Sequence, residues 1–145
     1  MPGLEVITVE VTPEDDFTLP DGWRLVEEES VKESEGLVTL EFPRLLVRGE
    51  NLVRGEEMLE RARRLGQRAG LRCLKASLRL QGQLPDYQRG GEVPIFAGTV
   101  ALNDQDQRVV PYAKASGGER YLGWILLTGG HGPASRLVRC SPAKL

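Results

Sequence analysis

Apolar residues in this chain fall mostly in short runs of period two, set apart by glycine, proline and clustered charge. That pattern predicts strands joined by turns. Leu4–Val11 alternates with Ile7, Val9 and Val11 on one side. The chain then continues as TPEDDFTLPDG, where Pro13, Pro20 and the Asp21-Gly22 turn flank Phe17 and Leu19 in extended, acidic sequence that cannot stay helical. Trp23–Val31 and Leu37–Phe42 read as the next pair of strands, with Val38, Leu40 and Phe42 on the dry face. Leu71–Leu80 alternates as another strand, with Leu74, Ala76, Leu78 and Leu80 opposite Cys73, Lys75, Ser77 and Arg79. Phe96–Leu102 and Val109–Ala113 flank the polar turn Asn103–Gln107 and predict a hairpin. Beyond Ser116-Gly117-Gly118, Tyr121–Leu127 is apolar on both alternating sets, the mark of a central strand. Arg136–Cys140 forms the last one.

One segment departs from this period. Leu52, Met58, Leu59, Ala62, Leu65 and Ala69 make a stripe at helical spacing, so one amphipathic helix is expected at about 52–69, with Gly70 following its end. Its glutamates fall early and its arginines late, as the helix dipole prefers, and Glu57–Arg61 and Glu60–Arg64 are i,i+4 pairs. The fold class that follows is mainly β (α+β): one compact antiparallel β domain, β-tulip or barrel-like, with that helix packed on a sheet. Residues 1–145 form a single domain. Residues 1–20 can serve as the first strand of the chain's own sheet or as an extended arm that adds to another chain's sheet.

Charge complicates the picture. The net charge is −2, but residues 1–53 hold 13 acidic and 4 basic side chains while residues 54–145 hold 8 and 15. Either the two halves face each other inside the fold, or each seeks a partner of opposite sign. The chain has no apolar run near the ~18 residues of a membrane span and no signal-peptide pattern at its start. Cys73 and Cys140 lack metal or redox spacing and are most simply buried free thiols; a disulfide between them stays open.

No group of residues offers catalytic, cofactor or metal chemistry. His131 is the only histidine and sits between glycines, as an exposed loop residue would; a Ser135–His131 pair lacks any nucleophile-elbow context. The glycine pairs have no phosphate-loop pattern, and Asp15-Asp16 and Asp104/Asp106 lie in polar turns where nothing raises a carboxyl pKa. The basic set Arg54, Arg61, Arg63, Arg64, Arg68, Arg72, Lys75 and Arg79 lacks interleaved aromatic residues, which favours a solvated face or protein-docking patch over nucleic acid. The candidate partner interface is therefore apolar: Ile7, Val9, Val11, Phe17 and Leu19 near the start, and Tyr87 in the Gln81–Glu92 loop. Such a chain is better suited to binding than to catalysis.

The stretch 93–128 adds a resemblance. Ala97-Gly98-Thr99-Val100, then Val109-Val110-Pro111-Tyr112, then Leu122-Gly123-Trp124-Ile125-Leu126 resemble the strand motifs of the head decoration (cement) proteins of tailed bacteriophages. The resemblance implies a virion structural protein, made in the host cytoplasm, that binds the outer surface of the major capsid protein shell as a homotrimer and stabilises it. The alternative is a small regulatory protein that grips a host or phage enzyme through its acidic N-terminal half.

Overall fold

The computed structural model describes residues 6–16, 18–28, 36–79, 93–116, 119–132 and 134–142. Strand takes 46% of the described residues and helix 17%, so the protein is mainly β. The strands are β1 Val6–Val11, β2 Arg24–Glu28, β3 Gly36–Glu41, β4 Val53–Arg54, β5 Val93–Ile95, β6 Thr99–Leu102, β7 Arg108–Ser116, β8 Glu119–Leu126, β9 Gly130–His131, β10 Ser135–Leu137 and β11 Arg139–Pro142. The helices are α1 Gly55–Leu65 and α2 Leu71–Leu78. The larger sheet curls into a half-barrel in the order β10-β5-β7-β6-β2, with β8 on the opposite side of β7. A three-stranded sheet, β1-β3-β11, packs beside it, and β4 pairs with β9.

The two helices cover opposite faces of β7. Adjacent residues of a strand point to opposite sides, and Val110 packs into one core with Met58 and Leu59 of α1, while Ala113 packs into another with Leu74 of α2, Leu40 and Phe96. Pro111 fits mid-strand because β5 and β6 share one side of β7, β6 at Arg108 and Val109 and β5 at Tyr112, so its missing N–H falls at the gap between them.

Several expectations need correcting. The expected 71–80 strand is the helix α2. Leu71, Leu74 and Leu78 fall at helical spacing, whereas an alternating pattern keeps only Leu74 and Leu78 on one side, and the segment LRCLKASL has no β-branched residue to stiffen an extended chain. No side chain at its own N-cap announces the start; the cap comes from Thr99, whose hydroxyl oxygen accepts a hydrogen bond from Leu71 N at 2.8 Å. The first helix consequently ends earlier than 69. It stops at Leu65, where Gly66 takes φ 75° and its N–H reaches back to the carbonyls of Ala62 and Arg63. Gly70, expected to follow that helix, instead precedes the second.

Strands β2 and β3 are not a hairpin: β2 pairs with β6, and β3 pairs with β1 and β11. The last expected strand divides at Val138 into β10 and β11, which join different sheets, and β10 runs parallel to β5, so the sheet is not wholly antiparallel. The β6–β7 hairpin is present, its turn closed by Asn103, whose side-chain oxygen accepts from the N–H groups of Gln105 and Gln107. Finally, β8 is not central. Among the described residues it pairs with β7 alone.

Candidate functional site

Strand β1 lies inside the chain's own sheet, opposite β3 along its whole length. Of the apolar residues expected to meet a partner, Val9 and Val11 are 1% exposed and belong to the core, Ile7 packs against that core, and Leu19 is half-buried. Their alternation is what places them there: one face of a strand must be buried, and the protein's own interior buries it. Phe17 and Tyr87 lie outside the described residues, as does the whole 81–92 loop.

The charged halves face each other. Arg63 reaches Glu27 at 2.7 Å, Arg68 reaches Glu27 at 2.5 Å, Arg61 reaches Glu50 at 2.6 Å and Lys75 reaches Asp16 at 2.7 Å. Asp15, buried, accepts from Arg79 and from the Thr12 N–H. The basic set thus spends much of its charge on acids from the first 53 residues. Bonds from Arg63 and Arg68 hold the Glu27 carboxyl below its ordinary range. Arg61 and the Val47 N–H hold Glu50 at about 2, and Lys75 with the Thr18 N–H holds Asp16 at about 2. Of the expected helix pairs, Glu57–Arg61 forms at 3.0 Å, whereas Arg64 turns back to Glu57 and Glu60 takes Arg63.

His131 is buried, not an exposed loop residue: it pairs with Val53 across β4 and β9. No hydrogen bond joins it to Ser135, and its Nε2 has no partner among the described residues. Burial lowers its pKa. As pH falls through about 6.5, the unfolded chain takes up a proton that the folded protein refuses, so stability should fall on acidification. One such group contributes a slope of at most about 1.4 kcal/mol per pH unit. Denaturant midpoints measured between pH 8 and 5 should decline for the native chain and much less for His131→Leu; equal slopes would refute the assignment. The losses from Glu50 and Asp16 come in a separate window, from about 4 down towards 2, as those carboxylates protonate. Cys73 and Cys140 form no disulfide and are both buried in one core.

What remains for a partner is an apolar corner of the half-barrel. The pairings β2–β6, β6–β7 and β7–β8 align Leu25, Ala101, Val109 and Leu126 in one row across four strands, on one face. Ala101 and Val109 are covered, whereas Leu25 is 47% and Leu126 38% exposed. Above this row Trp23 and Trp124 meet edge to face, their ring centroids 5.1 Å apart. Val26, at the bulge in β2, is also exposed. The helix α2 covers the same sheet face further along, at Ala113 and Leu122, and leaves this end open. The chain's only two tryptophans therefore stand together at one end of the sheet, beyond the part that α2 covers. A second concave feature, an open groove of about 490 Å³, runs between Pro43, Leu45, Val47, Leu65 and Leu137. Its charged walls, Arg61, Glu57 and Arg64, are bonded to one another and to Glu50. Among the described residues no three His, Cys, Asp or Glu side chains are grouped to hold a metal, and no helix is long and apolar enough to cross a membrane.

Of the interface candidates named from sequence, the described ones, Ile7, Val9, Val11 and Leu19, are not among the residues of this corner. The signal that could have found it is the chain's two tryptophans, Trp23 just before β2 and Trp124 within β8. Comparison with protein-family models, with curated proteins and with solved structures finds no match to the chain.

Proposed function

We propose that this protein is a binding module without catalytic chemistry, and that the corner formed by Trp23, Leu25, Trp124 and Leu126 is the surface that meets its partner. The observation that carries this reading is an aromatic pair and two half-exposed leucines gathered on one open sheet face. Tryptophan at the centre of an apolar patch is the kind of group that dominates protein interfaces. The acidic half offers less, because Asp15, Asp16, Glu27 and Glu50 are engaged with the protein's own basic residues. A regulatory role through that half is correspondingly the weaker alternative.

The motifs in 93–128 suggest the partner: the outer surface of a phage capsid, where many copies of a modest contact add up to tight decoration. Quantitative mass spectrometry of purified virions should find the chain in hundreds of copies. Its absence from virions would remove the capsid as partner. Leu25→Glu tests the surface itself, since a half-exposed leucine can be replaced with little loss of stability. The variant should bind shells at least about 30-fold more weakly, the effect of losing an interface hot spot. Undiminished binding would rule out the corner.

A further inference from the structure

We propose that the groove between α1 and the segment 43–47 docks an acidic segment of a partner protein, with an apolar side chain of that segment on the groove floor and its carboxylates on Arg44 and Arg64. The site is separate from the tryptophan corner, and the proposal stands whether or not that corner binds a capsid.

The groove is lined by chain that is already fastened. Leu137 N–H donates to the Pro43 carbonyl at 2.9 Å, which ties the 43–45 segment to β10. The chain then turns back at Gly49, φ 93°, where Glu50 N–H donates to the Val47 carbonyl at 3.1 Å. The Glu50 carboxylate accepts from Val47 N–H at 2.8 Å and twice from Arg61 at 2.6 Å, and Arg61 also reaches the Leu45 carbonyl at 3.1 Å. One arginine of α1 therefore fixes the wall that faces the helix. Val47 and Leu65, 61% and 37% exposed, stay open to solvent in this arrangement, while Leu45 and Leu137 are buried and form the floor. A wall in place before binding need not be ordered by the ligand, and ordering is where flexible surfaces lose affinity. The volume of about 490 Å³ lies within the range of pockets that hold ligands.

Charge and lining chemistry select the occupant. Arg44 and Arg64 line the groove, and Arg48 adjoins Val47 in the chain. Arg44 and Arg48 are exposed and form no ion pair among the described residues. Arg64 gives one bond to Glu57, at 2.9 Å, and its side chain is 64% exposed. The acids nearby, Glu50 and Glu57, are both bonded to Arg61, so the rim presents uncompensated positive charge. Carboxylates suit it, because a guanidinium can hold one with two parallel bonds. Nucleic acid suits it less: the described apolar lining, Pro43, Leu45, Val47, Leu65 and Leu137, holds no aromatic ring on which a base could stack. Those aliphatic side chains call instead for an apolar anchor in the same ligand. Leu45 and Leu137 belong to the α1 core, whereas the tryptophan corner lies on the α2 side of β7, so both surfaces can be occupied at once.

Peptides selected on the full chain from a random display library should include a class with a large apolar residue flanked by aspartate or glutamate. These should bind the chain in solution with an affinity that falls as salt rises. Arg44→Glu and Val47→Glu, both at exposed positions, should each weaken that binding at least about tenfold with an unchanged melting temperature, and if one fails to fold the other decides. Leu25→Glu, at the tryptophan corner, should leave it unchanged. A selection without such a class, a peptide indifferent to the folded groove variants, or one displaced by single-stranded DNA of equal charge would overturn the proposal. Sedimentation showing a dimer that Val47→Glu disperses would also overturn it, since a second copy would then fill the groove. A peptide lost with Leu25→Glu alone would refute the groove while leaving the corner intact, and virions without the chain would remove the capsid while leaving the groove.

Discussion

A chain without residues 1–16 is expected to lose cooperative folding altogether, with no melting transition by circular dichroism and digestion by protease at concentrations that spare the intact protein. Val9 and Val11 are 1% exposed and share a core with Leu40, Leu74 and Phe96. Burying a valine is worth about 1.5–3 kcal/mol, and removing a whole strand also uncovers what it covered. The segment that follows is fastened as well. Arg72 donates to the carbonyls of Thr12 and Asp15, Arg79 to the carbonyl of Glu10 and the carboxylate of Asp15, and Lys75 to Asp16. Two side chains of α2, Arg72 and Lys75, and Arg79 just past its end thus grip this part of the chain. Against a typical stability of about 5–15 kcal/mol, losing strand and clasp together leaves no margin. The result also decides between the two readings of the acidic N-terminal segment. A truncated protein melting within a few degrees of the intact one would make β1 a detachable arm and restore Ile7, Val9 and Val11 to the interface.

The sequence is informative about what lies above and below each strand and silent about what lies beside it. Tyr121–Leu127 is apolar on both sets, and each set meets a core, Ile125 and Leu127 that of α1 and Leu122 that of α2, while Tyr121 and Leu126 stay partly exposed. Such packing says nothing of neighbours in the plane, so a strand read as central pairs on one side only among the described residues. The same gap separates Leu25 from Leu126: each is an ordinary strand residue, and they come to share one row on one face only through three successive strand pairings. Helix α1 was legible because its stripe and charge order agree over 11 residues. Helix α2, with 8, was not, because its cap is supplied by Thr99, 28 positions away, whose hydroxyl in turn donates to Glu28. The charge asymmetry was visible in full, but its destination required the fold: the glutamates of β2 and the loop before β4 meet arginines of α1 and of the segment between the helices.

Gly98→Ala and Gly55→Ala are each expected to destabilise the protein by roughly 3 kcal/mol, a fall in melting temperature of about 10 °C. Helix propensity alone predicts the opposite sign at Gly55, the first residue of α1, where alanine would gain up to about 1 kcal/mol. Space decides the matter. A Cβ at Gly55 would stand 2.5 Å from the Leu127 carbonyl oxygen and 2.7 Å from its Cα, and Gly55 N–H is held at 2.8 Å to the Gly129 carbonyl. At Gly98 the Cβ would stand 2.7 Å from the Arg68 oxygen and 2.8 Å from the Ala69 carbonyl carbon. Every one of these neighbours is backbone, and those at Gly98 are themselves tied down. Ala69 accepts from Gly98 N–H at 2.9 Å and donates to Val138 at 3.0 Å, and Arg68 holds the Ala97 carbonyl at 3.2 Å. A side chain in the way could rotate; a backbone bonded on both sides can only move as a block, which pulls α2 and β11 off the half-barrel. Gly129→Ala is the control, since its Cβ would meet nothing closer than 3.7 Å, and it should change the denaturant midpoint little. If Gly98→Ala matched that control, the close approach between residues 68–69 and the turn before β6 would not exist in solution, and the joint between the two sheets would have to be drawn elsewhere.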